Sequence, residues 1–131
     1  SASFEEKYKF VLDFWTQVVL NMREWNEMDN GELSKKDLRE NYIVTQGVTI
    51  LALGRLGKFF FENREIDMVN SLKGLKSIDW LRNNTSCWLG RAIKTNGSIN
   101  RSEHGIYLTY IQIKRHLDLP ISEEEQKKET F

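Results

Sequence analysis

Apolar residues recur at helical spacing through most of the chain. Phe4, Tyr8, Val11, Trp15, Val18, Met22 and Trp25 fall at alternating steps of four and three. That spacing lays one apolar stripe along a helix of about six turns. Glu5, Lys9, Asp13 and Arg23 lie off the stripe. So regular a seam suits a coiled coil, but in a single domain it more often packs onto core helices. Asp29-Asn30-Gly31 then stops the helix.

Ser34 followed by Asp37 reads as a helix start, close to a capping box. Leu38, Tyr42 and Thr45 continue an amphipathic pattern. From Val48 to Phe61 the pattern is apolar nearly all round, which predicts a buried central helix. Gly47, Gly54 and Gly57 weaken that helix. Small residues there let a neighbouring helix cross closely. They form no phosphate loop, because no Lys-Ser/Thr pair follows them.

Arg64 to Lys73 predicts a short helix closed by Gly74, with Ser77 capping a brief turn through Asp79, Trp80 and Leu81. Asn83 to Ser86 is a loop able to cap a helix from Cys87 to about Lys94. Thr95-Asn96-Gly97-Ser98 is a turn, and Asn-Gly allows a small β-ribbon near residues 93–99, around Ile93 and Ile99. Ser102 caps a stretch to Leu117 with Ile106, Tyr110, Ile113 and Leu117 at helical spacing. Its β-branched and aromatic content leaves a strand reading open. Length and the terminal Lys114-Arg115-His116 favour a helix. Ser122 and Glu125 form a capping box for a last, acidic helix, expected to be frayed.

These elements predict an all-α fold. It is a compact multi-helix domain, 1–131, with a long N-terminal amphipathic helix packed on a buried central one. A chain of 131 residues suits one domain with a real core. One proline and eight glycines argue against a sandwich or barrel. A lone Cys87 permits no internal disulfide and, with no signal peptide, suggests the cytoplasm. The longest apolar run is broken by Arg55 and Lys58 and is too short to span a bilayer.

Charge changes the picture. The net charge is zero, but Ser71 to His116 holds eight basic residues against Asp79 and Glu103, a net of +6. Ser1 to Leu33 carries three basic and seven acidic residues, and Leu117 to Phe131 two and five. A segregated positive field points first to a polyanion, nucleic acid above all. The competing reading is that the acidic ends fold back and neutralise the basic segment.

Candidate chemistry is mostly of the binding kind. His104 and His116 have no carboxylate or cysteine at metal spacing, and Cys87 beside Trp88 suits a small core residue, so no enzyme and no cofactor is expected. Asp79 is expected to pair with Arg82 or Arg91. A helix from Trp88 to Lys94 followed by one from Ser102 to Leu117 is a loose match to a helix-turn-helix. Arg91, Lys94 and Arg101 would cluster at its turn. Arg82, Arg91, Lys94, Arg101, Lys114 and Arg115 are therefore the candidate DNA-binding residues, acting on phosphates rather than bases. Trp80 and Trp88 are expected in the core, the alternative being that they flank the DNA groove.

Several short stretches occur in a familiar order. They include Phe14-Trp15, Trp25, Gly31-Glu32-Leu33, Leu38-Arg39, Tyr42-Ile43, Gly47-Val48 and Leu53-Gly54-Arg55-Leu56-Gly57. Ile78-Asp79-Trp80, Trp88-Leu89-Gly90-Arg91-Ala92, Leu108-Thr109, Ile113-Lys114 and Leu119-Pro120-Ile121-Ser122 follow. Together they resemble the C-terminal region of the DndB family of DNA sulfur modification proteins and its DGQHR-domain relatives. The resemblance implies a fragment of a larger bacterial protein, a negative transcriptional regulator of DNA phosphorothioation acting through promoter DNA. The naming Asp-Gly-Gln-His-Arg motif is absent from these residues. Other modification proteins, or a second copy of the chain, are the partners of the rival reading, in which this is an oligomerisation or interaction module without DNA contacts.

Overall fold

The computed structural model describes residues 3–130, and it is mostly helical. α1 (Phe4–Asn21) starts where the Ser3 hydroxyl accepts from the Glu6 amide at 3.2 Å. It does not run on to Trp25 as one helix. Met22 adopts an extended conformation, and α2 (Arg23–Asp29) follows as a separate element. Gly31, at φ 77°, closes α2: its amide bonds Met28 O and the Glu32 amide bonds Glu27 O at 2.8 Å. This is the left-handed glycine stop that Asp29-Asn30-Gly31 predicts.

The apolar stripe is buried only in its second half. Val18 and Met22 lie in the core and Trp15 and Trp25 pack partly against it, joined by Phe14 from beside the stripe, whereas Phe4 is 81% exposed and Tyr8 and Val11 also face outward. The second half of α1 has neighbours to lie against, in α5 (Met68–Leu72) and the 3-10 helix Lys73–Ser77 that continues it. The helix expected over Arg64–Lys73 is thus shorter, capped by Asp67. Its chain passes through Gly74 without stopping, and Ser77 ends the 3-10 turn instead of capping a new one.

α3 (Lys35–Asn41) opens on Ser34, whose hydroxyl accepts from the Asp37 amide at 3.0 Å. α4 (Gly47–Glu62) is the central helix, but it is not buried all round. Val48, Thr49, Ala52, Leu53, Leu56 and Phe60 face the core, while Ile50, Leu51, Arg55 and Lys58 face solvent. α1 crosses it at Gly57, where an added Cβ would stand 3.0 Å from the Phe14 ring. Gly57 therefore serves the close crossing expected of the small residues; Gly47 and Gly54 have open space around them.

α6 (Thr85–Trp88) is a single turn, and the helix expected to Lys94 does not form. Gly90, at φ 81°, turns the chain instead into bridged extended backbone. Ile93 pairs with Ile99, and the Lys94 amide bonds Ser98 O at 2.8 Å across the Gly97 turn. The expected ribbon is present as this isolated bridge, not as a sheet. No helix-turn-helix results, because its first helix is missing.

α7 (Glu103–His116) is capped by Ser102, which accepts from Gly105 N. α4 and α7 form the most extensive helix pair. Trp80 and Trp88, both buried, stack with centroids 5.3 Å apart in the hydrophobic core, as the sequence suggested. α8 (Glu123–Lys128) closes the fold, with the Ser122–Glu125 capping box complete.

Candidate nucleic-acid interface

The six nominated cations divide into two groups of three. Arg82 is fixed by an antiparallel bridge between Tyr42 and Leu81, in which the Arg82 amide donates to Asn41 O at 2.8 Å. Its side chain is half-buried and lines an open groove of about 690 Å³ with Asn41, Tyr42, Thr95 and Gly97. Lys94 is exposed at the start of the ribbon turn. Arg101 is exposed at the ribbon's base, one residue after Asn100, whose amide bonds Ala92 O. None of these three makes an ion pair within the described residues. The groove also holds Asp37 and Glu40, so its α3 wall is acidic.

The other three meet α8. Lys114 is buried, its ammonium 2.9 and 3.1 Å from the two Glu125 oxygens and 4.0 Å from the Phe59 ring centroid. Arg91 donates Nη2 to Glu129 at 2.7 Å and Nη1 to Leu108 O at 2.8 Å. Arg115 grips the same Glu129 carboxylate through Nε and Nη2. The acidic tail thus folds back over part of the basic segment. Among the described residues the acidic N-terminal helices do not: their ion pairs are local, between Lys9 and Asp13 and between Arg23 and Glu24 or Glu27.

These contacts set the acids' protonation. Burial pushes the Glu125 carboxyl up, but hydrogen bonds from Ser122 and the Lys114 ammonium outweigh it and leave the group below its ordinary range. Hydrogen bonding from Arg115, opposed by burial and aided by Arg91, lowers Glu129. Burial, with the Glu125 charge beside it, pushes the Tyr110 hydroxyl well up.

Asp79 does not pair with Arg82 or Arg91. Its carboxylate accepts from the Leu81 amide at 3.0 Å, and its carbonyl accepts from Trp88 Nε1 at 2.9 Å. It shapes the turn that delivers Arg82. Cys87 is half-buried next to the core.

Glu125 and Glu129 are the residues that sequence reasoning passed over. It placed Glu125 only in a capping box and expected the helix to fray. The available signal was their spacing of four, which sets both acids on one helical face, and the opposite charge of α7's last turn.

The molecule is an all-α module with a ribbon and a helix carrying segregated cations. The family model for DndB, described as DNA-sulfur modification-associated, matches residues 1–120. The chain belongs to the DndB family and so is associated with DNA sulfur modification. No curated protein and no solved structure matches it. Among the described residues no helix is long and apolar enough to cross a membrane.

Proposed function

We propose that this chain is the helical module of a negative transcriptional regulator of a DNA phosphorothioation system, docking on duplex DNA in the cytoplasm. Arg82, Lys94 and Arg101 would take phosphates, since Lys94 and Arg101 are exposed, Arg82 lines an open groove, and none of the three makes an ion pair among the described residues. That observation carries the reading. Arg91, Lys114 and Arg115 contribute less in this conformation, because Glu125 and Glu129 already hold them. The contacts are electrostatic, and no base reading, cofactor or catalytic step is part of the proposal.

The test is a titration of the chain with promoter duplex at several salt concentrations, beside the variant Arg82→Glu/Lys94→Glu/Arg101→Glu. The wild type is expected to bind with a steep salt dependence. Losing three phosphate contacts should flatten the slope of log K against log salt by about 2.7 and weaken binding by more than about tenfold at low salt. An unchanged slope in the variant would sink the assignment.

A second reading is an interaction module without DNA contacts. It is favoured by the outward apolar face of α1, where Phe4, Tyr8, Val11 and Leu12 are all exposed. Under that reading the wild type fails to bind DNA at low salt and sediments as an oligomer.

A further inference from the structure

α8 is held to α7 and to Arg91 by ion pairs between carboxylates and cations, the same kind of contact that a phosphate could make. Its two inward acids, Glu125 and Glu129, sit one helical turn apart. They meet three cations from separate parts of the chain: Arg91 after α6, and Lys114 and Arg115 at the end of α7. Arg115 holds Glu129 through Nε and Nη2 together, the planar fork that equally fits two phosphate oxygens. Glu125 and Glu129 bring to this face what a phosphate backbone brings: successive anionic oxygens accepting from Lys and Arg.

The cover is short. α8 has six helical residues, and Glu123, Glu124 and Gln126 to Lys128 are exposed. Among the described residues, Leu119 in the core and the half-buried Ile121 anchor the chain just before it. The family match gives a further reason to separate cover from face. It ends at residue 120, so Arg91, Lys114 and Arg115 lie inside it and both covering acids lie outside.

We propose that α8 is an intramolecular stand-in for nucleic-acid phosphate, and that Arg91, Lys114 and Arg115 form a second phosphate-binding face which DNA takes over when α8 swings away. This rests on the reading that the chain binds DNA. The tail would then set the affinity, because DNA must displace two carboxylates before it gains these contacts. Binding energy spent on displacement lowers the apparent affinity by the fraction of molecules that are open.

The variant Glu129→Gln tests it. It keeps the side chain's size and removes the charge that holds two arginines. Glu123→Gln serves as the control, removing the same charge from the first turn of α8 at an exposed position with no ion pair among the described residues. Glu129→Gln is expected to bind duplex DNA about tenfold more tightly than the wild type, with a salt slope steeper by about one to two contacts. Glu123→Gln should behave as the wild type. Equal affinities and slopes for Glu129→Gln and the wild type would overturn the proposal, as would an equal gain in Glu123→Gln, which reports bulk charge only.

Amide exchange gives a second readout that needs no variant to fold. The amides of residues 126–129 should lose protection when DNA is bound, and continued protection there in the complex refutes displacement. The two readings fail differently. If Arg82→Glu/Lys94→Glu/Arg101→Glu abolishes binding while Glu129→Gln changes nothing, DNA binding stands and the cover does not. If neither the wild type nor Glu129→Gln binds at low salt, both are overturned.

Discussion

Lys114 is the residue whose environment is most demanding. Its side chain is 3% exposed and Glu125 9%, with Phe59 and Tyr110 rings around the ammonium. A buried charge is tolerated only when paired and hydrogen-bonded. Glu125→Ala removes the partner and leaves the ammonium uncompensated, so it should cost about 3–5 kcal/mol of unfolding free energy by denaturant titration. A loss under about 1 kcal/mol, the range of an exposed pair, would contradict the burial. Gly105 is a second demanding position. A Cβ there would stand 2.4 Å from Asn100 Cγ, and the Asn100 carboxamide is pinned because its oxygen accepts from the Ser102 amide and hydroxyl. Gly105→Ala should therefore destabilise by about 1–3 kcal/mol. Because Asn100 shapes the loop that leads into Arg101, the same variant should shift the NMR signals of the ribbon as well as lower the melting temperature.

Among the elements, α8 is the one that pH should release. Glu125 and Glu129 both titrate below their ordinary range in the fold. A carboxyl lowered by folding contributes stability that is complete above its unfolded pKa. That stability is lost as pH falls through the folded value. Protection of the α8 amides should thus be full at neutral pH and decline in acid, below the ordinary carboxylate range. In Glu129→Gln the same decline should be smaller, since one of the two groups no longer titrates. Acid-insensitive protection in the wild type would show that the apolar contacts of Leu119 and Ile121 hold the helix instead. α1 shows the opposite case, an element formed by local rules but only half enclosed. Its cap and stripe make the helix, and the outward Phe4, Tyr8 and Val11 stay exposed, with Phe4 and Tyr8 stacked only on each other's rings.

Across the whole molecule, a net charge of zero conceals three regions of different fate. Asp13, Glu24 and Glu27 pair with cations of their own helices, and Glu125 and Glu129 pair with cations of α7 and with Arg91. Lys94 and Arg101, exposed on the ribbon, and Arg82, in the groove beside it, remain without an ion pair among the described residues. The salt slope measured with their triple variant thus reports on the molecule's remaining field, and not on its formal charge.

Local signals in the sequence were enough for the helix starts at Ser34, Ser102 and Ser122, for the stop at Gly31 and for the Ile93–Ile99 pairing. Each depends on residues within a few positions of one another, where hydrogen bonds and φ preferences act. The order of short motifs likewise carried the family. The long stripe misled at Met22, because periodicity fixes a face but cannot say which part of it will find a neighbour. The helix expected after Trp88 lost to Gly90 and to pairing with Ile99, a competition that propensity alone does not resolve. Glu129 meets Arg91 across 38 positions and Arg115 across 14, and Lys114 meets Glu125 across 11. Such pairs are set by how α6, α7 and α8 pack, not by any spacing along the chain. The chain alone thus determined several helix starts and stops, its charge segregation and its kinship. Which cations face solvent and which face a carboxylate was decided by packing, since only the folded chain brings distant charges within reach.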